Sequence, residues 1–338
     1  MVKRHGIASA GNWILDITKI IDVYPEQDTL SNISGQSSNN GGAPYNVLKD
    51  LARLKAPFLL YALGLVGEDE PGKHIRQDCG NHNIDISQLT STAEAGTSYT
   101  DVMLVKNTGR RTFFHYRGAN ALLDLHHLDL SIIPARILHL GYLLLLDSLD
   151  IVHKNNRTNA SFLLEEAKSM GFLTSVDLVS EHSDRFKKII LPSLPFADIL
   201  FCNEYEASKL TDIRIDPDKP DLSRAREAID QLLGQGVKEW VIIHFPSGCM
   251  AGSKSGEFIV QGSVNVPARA VVGATGAGDA FAAGTLYGIH EGWPMQECLK
   301  SGVCCAAMSL TEASCSDGIG PMEQSLNTGS DYGFRILK

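Results

Sequence analysis

The sequence predicts an α/β fold whose sheet is mostly parallel, with helices on both faces. Three observations predict it. From Arg136 onward, apolar runs that read as strands at 137–145, 172–178, 197–202 and 239–245 alternate with helical patterns near 158–170, 204–210 and 222–234. Such alternation sets parallel strands side by side with helices packed above and below, and ligands at the strands' carboxyl ends. Two glycine-rich loops each open an apolar helix, GGAPYN at 41–46 and GATGAGD at 273–279. The third observation is size: 338 residues, 43% hydrophobic and 20% charged, fill a large core as one unit, so a single domain over 1–338 is expected.

In chain order, Gly6 to Asp16 reads as a first strand that ends on an aspartate where a loop begins. Residues 17–40 turn polar and Ser/Asn-rich after an apolar opening, which suits an exposed segment or covering strand. The loop at Gly41 leads into a helix with Val47, Leu48, Leu51 and Leu54 on one face. Phe58 to Val66 reads as a buried strand, and Asp69 as the cap of a helix starting near Pro71. Residues 97–117 alternate around Asn107-Thr108-Gly109, the pattern of a hairpin. Its charges Arg110, Arg111 and Arg117 read first as solvated. Asp177 stands at one strand end, and Asn203, Glu204 and Glu206 at another. Gly292-Trp293-Pro294 stops the helix that holds Asp279 and starts a second one, rich in Ala and Cys, running to about Glu312. The tail from Gly318 is polar and reads as peripheral.

Composition excludes several classes. A net charge of −9 without a Lys/Arg cluster leaves no electrostatic footprint for nucleic acid. No run approaches the ~18 apolar residues that span a membrane. The opening MVKRHGIASAG lacks the apolar segment of a signal peptide, so a cytoplasmic location is expected. Seven cysteines with no C-x-x-C pair argue against a disulfide framework or a zinc site.

The chemistry concentrates at Val271 to Gly284, VVGATGAGDAFAAG. Glycines let the backbone turn tightly and approach a ligand, and the first N–H groups of the following helix have no internal partner, so the loop favours an anion such as phosphate. It is neither of the two common phosphate loops. Asp279 and Ala280 stand where a Walker loop needs Lys and Ser/Thr, and Phe281 interrupts a G-x-G-x-x-G pattern. A carboxylate beside bound phosphate is repulsive unless it handles the group that attacks the phosphate. The alternative is that Asp279 is only a helix N-cap.

GATGAGDAFAAG resembles the second signature of the ribokinase/pfkB family of carbohydrate kinases, and GGAPYN resembles its first, G-G-x-x-x-N. The resemblance runs from Asp16 to about Gly318. It implies a ribokinase-like fold with a small β-sheet lid, built from segments 17–40 and 97–117, over a sugar site. Asp279 is then the catalytic base, and the amides of Gly276, Ala277 and Gly278 form an anion hole. Asp16, Gly41, Gly42 and Asn46 are implied to bind the sugar, and Arg117 is the choice among the hairpin arginines. The nucleotide is assigned to Asn203, Glu206, Gly248, Thr275 and Gly278, with Glu206 of the N-x-x-E motif holding Mg²⁺ through water. ATP and Mg²⁺ are the implied partners of the sugar, and a homodimer through the lid is a further expectation.

Two departures stand out. Gly273 replaces an acidic or polar residue that helps hold a monovalent cation in family members, which puts potassium activation in doubt. His244-Phe245-Pro246-Ser247-Gly248 replaces the family's T-x-G-x-x-G and is one residue shorter. GGAP-x-N is most familiar in fructokinase-like members, so fructose or a related ketose leads, ahead of ribose, 2-keto-3-deoxygluconate and nucleosides. The alternatives are a nucleoside kinase, with Tyr45, Phe114 or Tyr116 stacking on the base, and a non-catalytic sugar-binding regulator on the same scaffold.

Overall fold

The computed structural model describes residues 4–217, 219–273, 275–312 and 316–337, so Cys315 lies outside it. The first half of the chain forms β1 (Ile7–Gly11), β2 (Ile14–Ile21), β3 (Ile33–Gly41), α1 (Ala43–Arg53), β4 (Leu60–Gly67), α2 (Glu70–Asn81), β5 (Asp85–Thr92), β6 (Ser98–Val105), β7 (Arg111–Tyr116), α3 (Gly118–Leu122), β8 (Ile137–Gly141) and α4 (Asn159–Ser169). The second half forms β9 (Leu173–Val176), α5 (Phe186–Ile190), β10 (Ile199–Asn203), α6 (Glu204–Thr211), α7 (Leu222–Gly234), β11 (Trp240–Phe245), β12 (Gly248–Ser253), β13 (Phe258–Gly262), α8 (Ala277–Glu291), α9 (Met295–Ser309) and α10 (Met322–Tyr332).

Nine strands make one sheet in the order β13-β12-β11-β10-β9-β8-β1-β4-β5. Neighbours from β5 to β11 run parallel, and β12 and β13 return antiparallel. The inner strands are buried on both faces, and adjacent residues belong to different cores: Ile137, Ile199 and Ile242 pack on one side, Leu138, Leu200 and Ile243 on the other. This is the period-2 consequence of side chains alternating across a strand, with helices covering each face. The expected α/β alternation is therefore present, and strand order reverses at β1. Gly11 and Gly141, at the carboxyl ends of β1 and β8, pair directly at this switch point, where ligands bind in open parallel sheets.

The reading of Gly6 to Asp16 as one strand is corrected. The chain leaves the main sheet after Gly11, because the Asn12 amide donates to the Gly141 carbonyl at 3.0 Å and the Trp13 indole is buried, donating to the Leu63 carbonyl at 2.9 Å. Residues from Ile14 then belong to a second sheet, ordered β3-β2-β6-β7. In it β2 pairs antiparallel with β3 and parallel with β6, and β6 and β7 form the expected hairpin. Asp16 thus lies inside a strand of the small sheet. Likewise, the strand read at 137–145 ends at Gly141, and α9 ends at Ser309, short of Glu312.

The tail is not peripheral. Ile319 and Met322 are buried, Phe334 bridges to Val264, and the Arg335 amide donates to the Ser263 carbonyl at 2.8 Å. Met322, Ser325 and Gly329, at helical spacing, form the buried face of α10, which its polar average conceals. No helix among the described residues is long and apolar enough to cross a membrane.

Candidate active site

Three separated stretches meet at the carboxyl ends of β1 and β8. Gly42 caps α1 with φ 92°, a left-handed conformation suited to glycine, and a side chain there would collide with the Asn12 carbonyl. Beside it, Gly41 lies against the carboxylate of Asp16, which a side chain would displace. This corner aims the first turn of α1 at α8. Buried Asn46 uses its Nδ2 to donate to Asp279 Oδ2 at 2.7 Å, and its own Oδ1 is buried without a partner, free to accept.

Asp279 is not the N-cap of its helix. That position belongs to Gly276 at φ 79°, and the Asp279 side chain turns away from the backbone toward other side chains. Its Oδ1 accepts from Tyr142 Oη at 2.6 Å. Burial pushes its carboxyl up to about 6, against the lowering hydrogen bonds of Tyr142 and Asn46. Asp16 is also raised to about 6, by burial first, with a hydrogen bond from Thr100 opposing and the charge of Asp279 adding. The two carboxylates therefore share one electrostatic environment. Ala277 and Gly278 occupy the first turn of α8, where amides lack an i−4 carbonyl, beside the Asp279 carboxylate.

A channel of about 270 Å³ leads from Asp279 past Tyr142, Asp177, Ser180, Asn203, Glu206 and His244. Asp177 is fully buried and pushed well above the usual carboxylate range, by desolvation first and then by the charges of Asp279 and Glu206. The N-x-x-E motif forms a capping box for α6: the Asn203 amide donates to Glu206 Oε2 and the Glu206 amide to Asn203 Oδ1, both at 2.9 Å. Asn203 Nδ2 also donates to Ser180 Oγ at 2.8 Å, and Ser180 to Glu206 Oε1 at 2.9 Å. Burial raises Glu206 to about 7. Among the described residues no three His, Cys, Asp or Glu side chains cluster as a metal cage.

Next to this channel lies a cavity of about 480 Å³ walled by Val264, Val266, Val303, Ala306, Ala307, Leu310, Gly248 and Arg335, with Gly278 and Phe281 at its inner end. The shortened loop is a two-residue hairpin turn, Pro246-Ser247, that pairs Phe245 with Gly248. His244 packs against Gly278, 3.4 Å from where a Cβ would stand, and desolvation holds its imidazole down at about 4.

Arg117 is not brought to this cluster. Its guanidinium donates to the Leu144 carbonyl at 2.7 Å and pairs with Asp147 at 2.9 Å and Glu181 at 3.2 Å, tying the segment after β8 to the second sheet. The hairpin arginine that reaches the glycine loop is Arg111, whose Nη1 donates to Thr275 Oγ1. Sequence reasoning also missed Tyr142 and Asn12, which accepts from the Tyr142 amide. Both sit directly after parallel strands at the switch point, and that position is the one signal that points to them.

The family model described as pfkB family carbohydrate kinase matches residues 10–320. The chain is similar to the 5-dehydro-2-deoxygluconokinase of Geobacillus thermodenitrificans strain NG80-2, with 26% identity over 297 residues that cover 84% of this chain and 82% of that protein. It is also similar to the probable fructokinase-6, chloroplastic, of Arabidopsis thaliana, 29% identical over 277 residues that cover 79% and 67%. The structure of Arabidopsis thaliana ribokinase complexed with ribose and ATP superposes with a TM-score of 0.80 at 23% identity, covering 96% of this chain and 98% of that one. The fold is ribokinase-like, a large mostly parallel sheet with a small separate one, and the chain belongs to the pfkB family of carbohydrate kinases, phosphotransferases that act on a sugar hydroxyl.

Proposed function

We propose that this chain transfers the γ-phosphoryl group of ATP to a hydroxyl of a neutral sugar, with fructose or a related ketose first. The observation that carries this reading is the convergence of Asp16 and Asp279 on Gly41, Gly42 and Asn46. Carboxylates accept hydrogen bonds from hydroxyls and repel anions, so the pair favours a neutral sugar over a sugar acid or a sugar phosphate. Asp279 would orient the attacking hydroxyl and accept its proton. The N-terminal amides of α8 would meet the charge that develops on the phosphoryl oxygens, at no cost in reorganisation.

The apolar cavity beside Gly278 has the size and lining of a nucleobase and ribose site, placing the phosphates along the channel toward Asp279. Asp177 and Glu206 face that channel without a cationic neighbour among its described lining, which fits Mg²⁺ held through water by Glu206 with Asn203 and Ser180 alongside. When bound, Mg²⁺ neutralises phosphate charge during transfer. Gly273 offers no side chain to a monovalent cation. The second sheet stands over the acceptor corner as a lid, and its exposed Phe113, Phe114 and Tyr116 suit pairing of two copies through that sheet.

Product formation with ATP and Mg²⁺ across fructose, ribose, 5-dehydro-2-deoxygluconate, ribose 1-phosphate and adenosine tests the reading. Fructose or another neutral ketose should give the highest kcat/KM. Preference for an anionic acceptor or for adenosine would overturn the substrate class, and binding of sugar without turnover of any acceptor would favour the non-catalytic regulator.

A further inference from the structure

The nucleotide site has two ends with different electrostatics. Glu206 and its water-held Mg²⁺ belong to the reacting end, along the channel. At the other end, the described lining of the cavity of about 480 Å³ holds one lysine or arginine, Arg335, supplied by the C-terminal segment. The polar groups around it offer an anion little. Pro246 in the turn after β11 has no N–H, desolvation keeps His244 uncharged at neutral pH, and Glu204 carries the wrong sign for phosphate. The backbone that delivers Arg335 is clamped. Its amide donates to the Ser263 carbonyl at 2.8 Å, the preceding Phe334 bridges to Val264, and Leu337 packs against the core. Side chains at Gly262 and Gly248 would collide with the Arg335 carbonyl and with Leu337, so both glycines leave room for this segment. The guanidinium so placed is exposed and forms no ion pair among the described residues, Glu204 included. A fixed backbone thus presents an unpaired cation at a cavity with the size of a nucleoside, and its planar fork matches two oxygens of a phosphate.

We propose that Arg335 is a nucleotide-binding residue that pairs with the phosphate nearest the ribose, which makes the C-terminal segment part of the nucleotide site. The polyphosphate is then held at both ends, by the Glu206 side of the channel where transfer occurs and by Arg335 next to the nucleoside. A contact this far from the transferred group is the same before and during transfer, so it tightens nucleotide binding and leaves the chemical step alone. The proposal rests on the sugar-kinase reading above and names a residue within it.

Calorimetry with ADP and with AMP, and displacement of ADP by adenosine, test it on the intact protein at low ionic strength, where an exposed charge is least screened. Arg335→Gln should weaken ADP and AMP by about tenfold, the effect of losing one hydrogen bond between charged groups, and leave adenosine within about twofold. Arg335→Glu should weaken both nucleotides further. Arg335→Lys should fall between the parent and Arg335→Gln, since it keeps the charge and loses the fork. In steady-state assays Arg335→Gln should raise the KM for ATP about tenfold with kcat within about twofold. A loss for adenosine equal to that for AMP would mean that Arg335 only completes the wall of the cavity, and nucleotide affinities within about twofold of the parent would mean that it is a solvated bystander. Either result overturns the proposal. A parent protein that binds neither ADP nor AMP would instead sink the underlying reading, an outcome visible before any variant is made.

Discussion

On the acceptor side of the cleft, polar side chains touch one another, with Asp279 held by Tyr142 at 2.6 Å and Asn46 at 2.7 Å beside Asp16. On the nucleotide side, a cavity of about 480 Å³ is lined mainly by valine, alanine, leucine and phenylalanine, with Asn203, Glu204 and, from the C-terminal segment, Arg335 among the few polar members of the lining. The two halves therefore discriminate by different physics. A buried hydrogen-bonding group left unpaired costs about 1–3 kcal/mol, so the acceptor half should respond sharply to small chemical changes. An apolar wall loses affinity in proportion to the area withdrawn, so the nucleotide half should respond by degrees.

The largest effect should follow Asp279→Asn, which keeps the shape and removes the proton acceptor. Turnover should fall by about 10²-fold or more while sugar affinity changes little. Stability should move the other way. The folded-state pKa of about 6 exceeds the ordinary 3.8, so the contribution of Asp279 to stability is fully present below pH 3.8 and is lost as pH rises through about 6. At 1.36 kcal/mol per pH unit, loss of the charge favours the Asn variant by up to about 3 kcal/mol more at pH 7 than near pH 4, offset at both by the ~1–3 kcal/mol of the second acceptor that its amide cannot offer to Tyr142 and Asn46. Thermal melting at both pH values, next to initial rates, checks the pair of outcomes. An unchanged rate would break the contrast at its sharp end.

A smaller effect belongs to Phe334→Ala. The Phe334 ring packs against Gly329 and the buried core, which holds in place the backbone bridge from Phe334 to Val264, a wall of the cavity, just before Arg335, another. Loosening this contact should raise the KM for ATP several-fold, roughly 1 kcal/mol, and leave sugar affinity within about twofold. Steady-state kinetics varying each substrate in turn would show it. A change in sugar KM equal to that in ATP KM would mean that the two halves are not energetically separate.

Much of the acceptor half was legible because its chemistry sits in local patterns. Gly41, Gly42 and Asn46 lie in one hexapeptide, Gly276 to Asp279 in another, and the alternation after Arg136 predicted the sheet that brings them together. What was not legible depends on long-range pairing. Tyr142 is a lone aromatic after a strand, and only the parallel pairing of β1 with β8 places it on Asp279. That Arg111 and not Arg117 meets the glycine loop was illegible for a similar reason: the two bracket β7, and the packing of the second sheet on the main one decides which end reaches it. Asp16 was placed at a strand end although it lies inside β2, because nothing in GNWILD marks the step from one sheet to the other. The tail looked peripheral because composition averages over a helix, whereas packing uses one face of it.

The pH dependence of turnover tests the role of Asp279 most directly. Its protonated form cannot accept the hydroxyl proton, so below about 6 the parent rate should fall tenfold per pH unit and above that value it should level off. With saturating sugar and Mg²⁺–ATP holding Asp16 and Glu206, about 6 and about 7 in the free protein, in their ionised forms, the residual rate of Asp279→Asn should be flat through pH 5 to about 7, because the remaining titrating group is gone. The account predicts that the acid limb disappears with the carboxylate. An acid limb of the same midpoint in both proteins would assign the ionisation to another group and contradict the account.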